Sequence, residues 1–117
     1  MKALGRIFLQ NTNGGLEIFE KYVKNQFTID VPFQVDDLQV VITWNENYGN
    51  YAMYIRELRG SKWITTERYN AIWFVKEKFG LSEDETYLKI NQDMNLDLIA
   101  GVKSEVVEIK KRPLITI

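Results

Sequence analysis

Flat rings and cations crowd one stretch of this chain. Trp44, Tyr48, Tyr51 and Tyr54 are followed closely by Arg56, Arg59, Lys62 and Trp63. Rings can carry stacked bases while cations meet phosphates, so the combination suits single-stranded nucleic acid. Alternate aromatics in a hairpin also serve as core, and arginines as a solvated face. The run Lys110-Lys111-Arg112 adds three positive charges, or a solvated bend between strands. Asp36-Asp37 and Glu83-Asp84-Glu85 could hold a divalent ion, but the first pair reads as a turn and the second as a helix cap. The chain contains no cysteine and no histidine. A disulfide scaffold, a thiol nucleophile and a Ser-His-Asp triad are therefore excluded, and a zinc site would rest on carboxylates alone. The candidate contact residues are Tyr48, Tyr51, Arg56, Arg59, Lys62, Trp63, Lys110, Lys111 and Arg112. No catalytic residue, metal ligand or cofactor is expected.

Those residues need a scaffold, and its clearest part runs from Tyr69 to Leu96. Tyr69, Ile72, Trp73 and Phe79 recur at helical spacing, with Ala71, Phe74 and Val75 widening the apolar face. Thr65 or Thr66 can cap this helix, and Gly80 stands where a left-handed closing residue belongs. Ser82 and Glu85 form a capping box that opens a second helix, whose apolar stripe is Tyr87, Leu88, Ile90, Met94 and Leu96.

Upstream, residues 1–10 read as a short strand or the start of a helix. Asn11-Thr12-Asn13-Gly14-Gly15 breaks the chain, and a helix follows over about 16–24. The Gly-Gly pair belongs to no phosphate-binding pattern and reads as a helix boundary. Leu38–Trp44 alternates as a strand, with Leu38, Val40, Ile42 and Trp44 on one face. Residues 45–50 form a hairpin loop, and Tyr51–Leu58 returns with Met53 and Ile55 on one side and Ala52, Tyr54 and Arg56 on the other. Arg59-Gly60-Ser61-Lys62 is a basic turn. Short β segments are expected over 105–109 and 114–117, with Pro113 restricting their pairing. The expectation is one α+β domain over 1–117, a hairpin or small sheet packed on two helices of the C-terminal half and one N-terminal helix.

At 117 residues, 45% apolar and 26% charged, the chain has room for one core and the composition of a soluble globule. Its net charge of −1 argues against general attraction to a phosphate backbone. No apolar run is long enough to span a bilayer, and no signal-peptide core is evident, so a cytoplasmic location is expected. An ending in Leu-Ile-Thr-Ile reads as a domain cut from a longer chain, or a truncated relative of one.

Val31-Pro32-Phe33-Gln34, the two strands, Asn70-Ala71-Ile72 with Phe74-Val75, and Gly80-Leu81-Ser82 with Glu85 follow one another in a telling order. Over about residues 12–98 the chain resembles the N-terminal zinc-ribbon domain of DNA primases from bacteria, phages and mobile elements. Thr12 to Phe19 is similar to the lead-in of such proteins. Val31 and Gln34 stand where that family carries the Cys and His of its Cys-Pro-Phe-His motif, and nothing near 54–62 supplies the remaining thiolates. Tyr69 replaces the family's glycine, and Trp73 fills a position usually small or acidic. The resemblance implies a zinc-ribbon-like fold without zinc, with Val31, Leu38, Leu58 and Trp63 expected to fill the former site. It also implies recognition of single-stranded template, without the polymerising domain and hence without priming activity.

Two functions follow as expectations. One is a non-catalytic template-binding module or accessory fragment of a phage or mobile-element primase. The other is a small phage protein that binds and inhibits a host protein, for example a CRISPR or other defence nuclease. Both place it in the host cytoplasm with a nucleic-acid or nucleoprotein partner and no membrane. Elemental analysis of protein purified without chelator is expected to show no stoichiometric zinc, and a chelator to leave the melting temperature unchanged. One zinc per chain would overturn the reading of Val31 and Gln34.

Overall fold

Thr12-Asn13-Gly14-Gly15 turns the chain by a run of left-handed residues. Asn13, Gly14 and Gly15 take φ of 54°, 66° and 91°, a conformation that Gly and Asn adopt most readily. The buried Thr12 hydroxyl donates to the Phe8 carbonyl at 2.7 Å, and the Thr12 carbonyl accepts from Gly15 and Glu17. These bonds close α1 (Lys2–Gln10) and open α2 (Leu16–Tyr22). In this computed structural model, which describes residues 2–99 and 114–117, the chain is α+β. The stretch 1–10, open between strand and helix in sequence, is helical over its described residues, Lys2–Gln10.

Four strands follow in an antiparallel meander of order β1-β2-β3-β4: Phe33–Val35, Leu38–Asn45, Asn50–Arg59 and Lys62–Asn70. Asp36-Asp37 is the first hairpin turn, with Asp36 at φ 53°. In the second turn the Asn45 side chain accepts from the Asn47 amide at 3.0 Å, and the Asn45 carbonyl from Gly49 at 2.9 Å. Gly60-Ser61 makes the third, aligning Arg59 with Lys62. A bulge between Ile55 and Arg56 shifts the β3–β4 register and leaves one extra residue on β4.

Helices α3 (Ala71–Phe79) and α4 (Glu83–Asp93) are the last elements of the described residues. The start of α3 corrects the sequence reading. Thr65, Thr66 and Tyr69 belong to β4, and the cap is Asn70, whose side chain accepts from the Trp73 amide at 2.8 Å. Gly80 closes α3 in the left-handed region, and Ser82 with Glu85 forms the expected capping box.

Val40, Ile42, Met53 and Ile55 meet Phe8, Ile18, Phe19, Phe74, Val75 and Ile90 in one buried cluster, to which all four helices contribute. Phe19 and Phe74 pack with ring centroids 5.7 Å apart. Burial at this level contributes about 1.5–3 kcal/mol per large side chain. Val31, Leu58 and Trp63 do not fill an interior site: they are 52%, 54% and 39% exposed, and Leu38 is half-buried. Trp73 lies outside the core, and Leu96 follows the end of α4. Residues 114–117 form no strand; Ile117 is buried, and its main-chain oxygen accepts from the buried Lys78 ammonium. The expected strand over 105–109 lies outside the described residues. Among those described, no helix is long and apolar enough to cross a membrane.

The Tyr22 hydroxyl donates to Asp93 Oδ2 at 2.7 Å, and Lys89 pairs with the same oxygen at 3.1 Å, joining α2 to α4. Burial, then the Asp93 bond, pushes the Tyr22 phenol well above its ordinary 10.0. Folded Tyr22 keeps its proton where the unfolded chain loses it, so this contribution is whole below about pH 10 and declines as pH rises further. Tyr22→Phe is expected to cost about 1.5–3 kcal/mol at neutral pH and to flatten the alkaline loss of stability, measured by urea denaturation between pH 7 and 11.

Candidate functional site

The α1–α2 corner and the β2–β3 hairpin are held together by main chain. The Gly14 carbonyl accepts from the Tyr51 amide at 2.9 Å. A Cβ on Gly14 would stand 2.9 Å from the Trp44 ring and 3.3 Å from the Tyr51 ring. Trp44 and Tyr51 are register partners whose rings meet edge to face at 5.1 Å. The glycine therefore lets backbone seat directly against a ring pair. On the other flank, Asn70 starts α3 so that Ile72 and Phe74 point inward and Trp73 outward, 51% exposed.

Between these walls lies a cleft of about 840 Å³. Gly5, Arg6 and Gln10 of α1 line it, with Trp44, Tyr48 and Asn50 of the hairpin, Asn70, Trp73 and Lys76 at the β4–α3 junction, and Glu83 and Tyr87 of α4. Trp44 is 46% exposed and Tyr48 70%. Lys76 Nζ lies 4.8 Å from the centre of the Trp73 ring and 3.7 Å from Glu77. Gly5 brings α1 so near the Tyr87 hydroxyl that a Cβ there would stand 2.9 Å from it. Burial, and then Glu83, push the Tyr87 phenol up, so it stays a neutral hydroxyl at the cleft wall. Arg6 and Lys76 against Glu83 leave the lining with more positive than negative charge.

The structure divides the contact residues expected from sequence. Tyr48 lines the cleft, and Tyr51 stands behind it against Trp44. Arg56, Arg59, Lys62 and Trp63 lie at the far end of the sheet, near the β3–β4 turn. By strand alternation they divide again, because Arg56 and Trp63 share one face with Leu58, while Arg59 and Lys62 share the other with Glu57. Arg59 pairs with Glu57 at 3.3 Å, and Arg56 donates to Gln39 at 3.1 Å. Lys110, Lys111 and Arg112 lie outside the described residues. Sequence reasoning did not single out Arg6, Trp73 as a surface ring, Lys76 or Asn70. Trp73 was hidden because its helical spacing with Tyr69, Ile72 and Phe79 reads as part of the apolar face.

The phenol of Tyr69, on the sheet face toward the helices, donates to Glu67 at 3.0 Å and is pushed up to about 12, chiefly by burial and then by Glu67. Among the described residues, no three acidic side chains converge in a way that could hold a metal ion. The arrangement offers rings, amides and cations, with the Glu83 carboxylate and the Tyr87 hydroxyl on the same walls. Comparison with known proteins finds no matching family model, curated protein or solved structure.

Gly14→Ala forces a side chain into the left-handed region, at about 1–2 kcal/mol, and drives a methyl against Trp44. Gly49→Ala carries the same backbone strain with open space around the new Cβ. Gly14→Ala is therefore expected to lose more stability than Gly49→Ala in urea denaturation, and to shift tryptophan emission where Gly49→Ala does not.

Proposed function

We propose that the cleft binds single-stranded nucleic acid, as a non-catalytic module acting in the host cytoplasm. The observation that carries this reading is the gathering of three exposed rings, Trp44, Tyr48 and Trp73, around one cleft with Arg6 and Lys76. Exposed rings cost solvation and are uncommon in such a group unless something covers them. Bases stack on them without regard to sequence, at about 1–3 kcal/mol each, while cations track the backbone. The amides of Gln10, Asn13, Asn50 and Asn70 on the same walls can donate to and accept from base edges. The resemblance to primase template-binding domains supports the same ligand, with this chain as a module or accessory fragment of a replication primase.

Fluorescence anisotropy with labelled single strands tests this at low and moderate salt. Trp73→Ala and Tyr48→Ala are each expected to weaken binding by about 1–3 kcal/mol. Lys76→Gln is expected to weaken binding to every sequence and to make the salt dependence shallower by about 0.7 in log–log slope. Absence of binding at low salt would overturn the reading and leave a host protein as the expected partner.

A further inference from the structure

The cleft does not end at Trp73. Tyr48, Asn50, Asn70 and Trp73 also line a second depression of about 270 Å³, which adds Asn45, Ala52 and Arg68. Ala52 pairs in register with Asn70, and Asn45 with Asn50, all on the face opposite Met53 and the helices. The shared residues therefore form a saddle between the cleft and the outer face of the sheet.

That outer face has its own chemistry. Register and alternation put Tyr54, Arg56 and Leu58 of β3 beside Trp63, Thr65 and Arg68 of β4. The acidic residues of these strands, Glu57 and Glu67, alternate to the other side, where Glu57 holds Arg59 and Glu67 holds Tyr69. Both arginines on the outer face thus lie apart from the strands' own carboxylates. Arg56 is steadied by Gln39, and the Tyr54 hydroxyl accepts from Asn45 at 3.0 Å; further along the face a carboxylate does reach it, Asp30, which accepts from the Thr43 hydroxyl of β2. All four helices place side chains in the cluster on the opposite face. Asn70 and Trp63 stand seven residues apart in β4, roughly 23 Å along the strand.

We propose that single-stranded nucleic acid seated in the cleft continues over the Asn70–Trp73 saddle and along this outer face, its phosphates meeting Arg68 and Arg56 and its bases reaching Trp63. The proposal rests on the cleft reading and deepens it, from a site for a few nucleotides to a track for a longer strand. An extended polyanion fits because the track bears cations and rings together, and the strand carboxylates that would repel it face the other way.

The test uses fluorescein-labelled oligothymidylates of three, six and twelve residues, titrated into the full chain and into Arg56→Gln/Arg68→Gln. Affinity is expected to rise with length beyond the trimer, and the twelve-residue strand to show a salt slope steeper by about 0.7 for each added phosphate contact. The double variant is expected to bind the dodecamer about tenfold more weakly, losing about 1.4 kcal/mol, and to bind the trimer as before. Retained trimer binding shows that the variant is folded. Trimer and dodecamer binding alike, or a dodecamer indifferent to the double substitution, would overturn the track and leave the cleft reading standing. Failure of every length to bind at low salt would overturn both.

Discussion

The hydrogen bond from the Tyr51 amide to the Gly14 carbonyl, 2.9 Å long, is the constraint on which the site depends. It joins the corner between the first two helices to the start of the third strand, across residues far apart in sequence. It can form because Asn13, Gly14 and Gly15 all occupy the left-handed region, turning the carbonyl toward the hairpin. The absence of a Cβ at Gly14 then leaves the Trp44–Tyr51 ring pair room to stand against backbone. One local conformational preference therefore fixes a tertiary distance. Together with Phe8, buried in one cluster with Ile42 and Met53, that contact sets α1 against the hairpin so that Arg6 and Tyr48 line a common space.

The opposite wall is set by a single change of period. Strand β4 alternates every second residue, and α3 turns every 3.6, so where one becomes the other decides which side chains are buried. Asn70 is that point, because its extended backbone ends the strand and its side chain caps the helix. One residue earlier or later would rotate α3 by about 100° and exchange the environments of Trp73 and Phe74. As it stands, Phe74 is fully buried against Phe19, and Trp73 shares its ring with Lys76 in solvent.

Much of the scaffold was legible in the sequence because its signals are local. The Ser82–Glu85 box, the Gly80 closure and the β2–β3 hairpin each declare themselves within a few residues, and the structure bears them out. Strand β4 was not legible. Residues 62–68 are all exposed, so no buried face imposes alternation, and a bulge interrupts the register within them. Thr65 and Thr66 are good capping types, and with β4 unread they stood as the caps expected for α3 in place of Asn70. The grouping of rings was only half legible: Tyr48 belongs to the cleft, but its companions Trp73, Lys76 and Arg6 come from two helices. Spacing along one hairpin cannot report a wall supplied by another element. The separation of Arg56 from Arg59 follows from alternation alone, once both strands are known.

A net charge of −1 says little about what either face of this sheet attracts. Side chains that alternate to opposite faces of one sheet point apart, and exposed charges are screened over about 8 Å at physiological salt. A ligand on the outer face therefore responds chiefly to Arg56 and Arg68, and only weakly to Glu57 and Glu67 on the other side. The acids on that other side are occupied nearby, Glu57 with Arg59 and Glu67 with the Tyr69 hydroxyl. Arg59 partly neutralises Glu57, while Glu67, bonded to a neutral phenol, keeps its charge. The alternation that buries Met53 and Ile55 also puts both strand carboxylates on the helix side, together with Arg59 and Lys62, and leaves Arg56 and Arg68 on the other face. Electrostatic identity here belongs to a face of the sheet, and the sum over the chain conceals it.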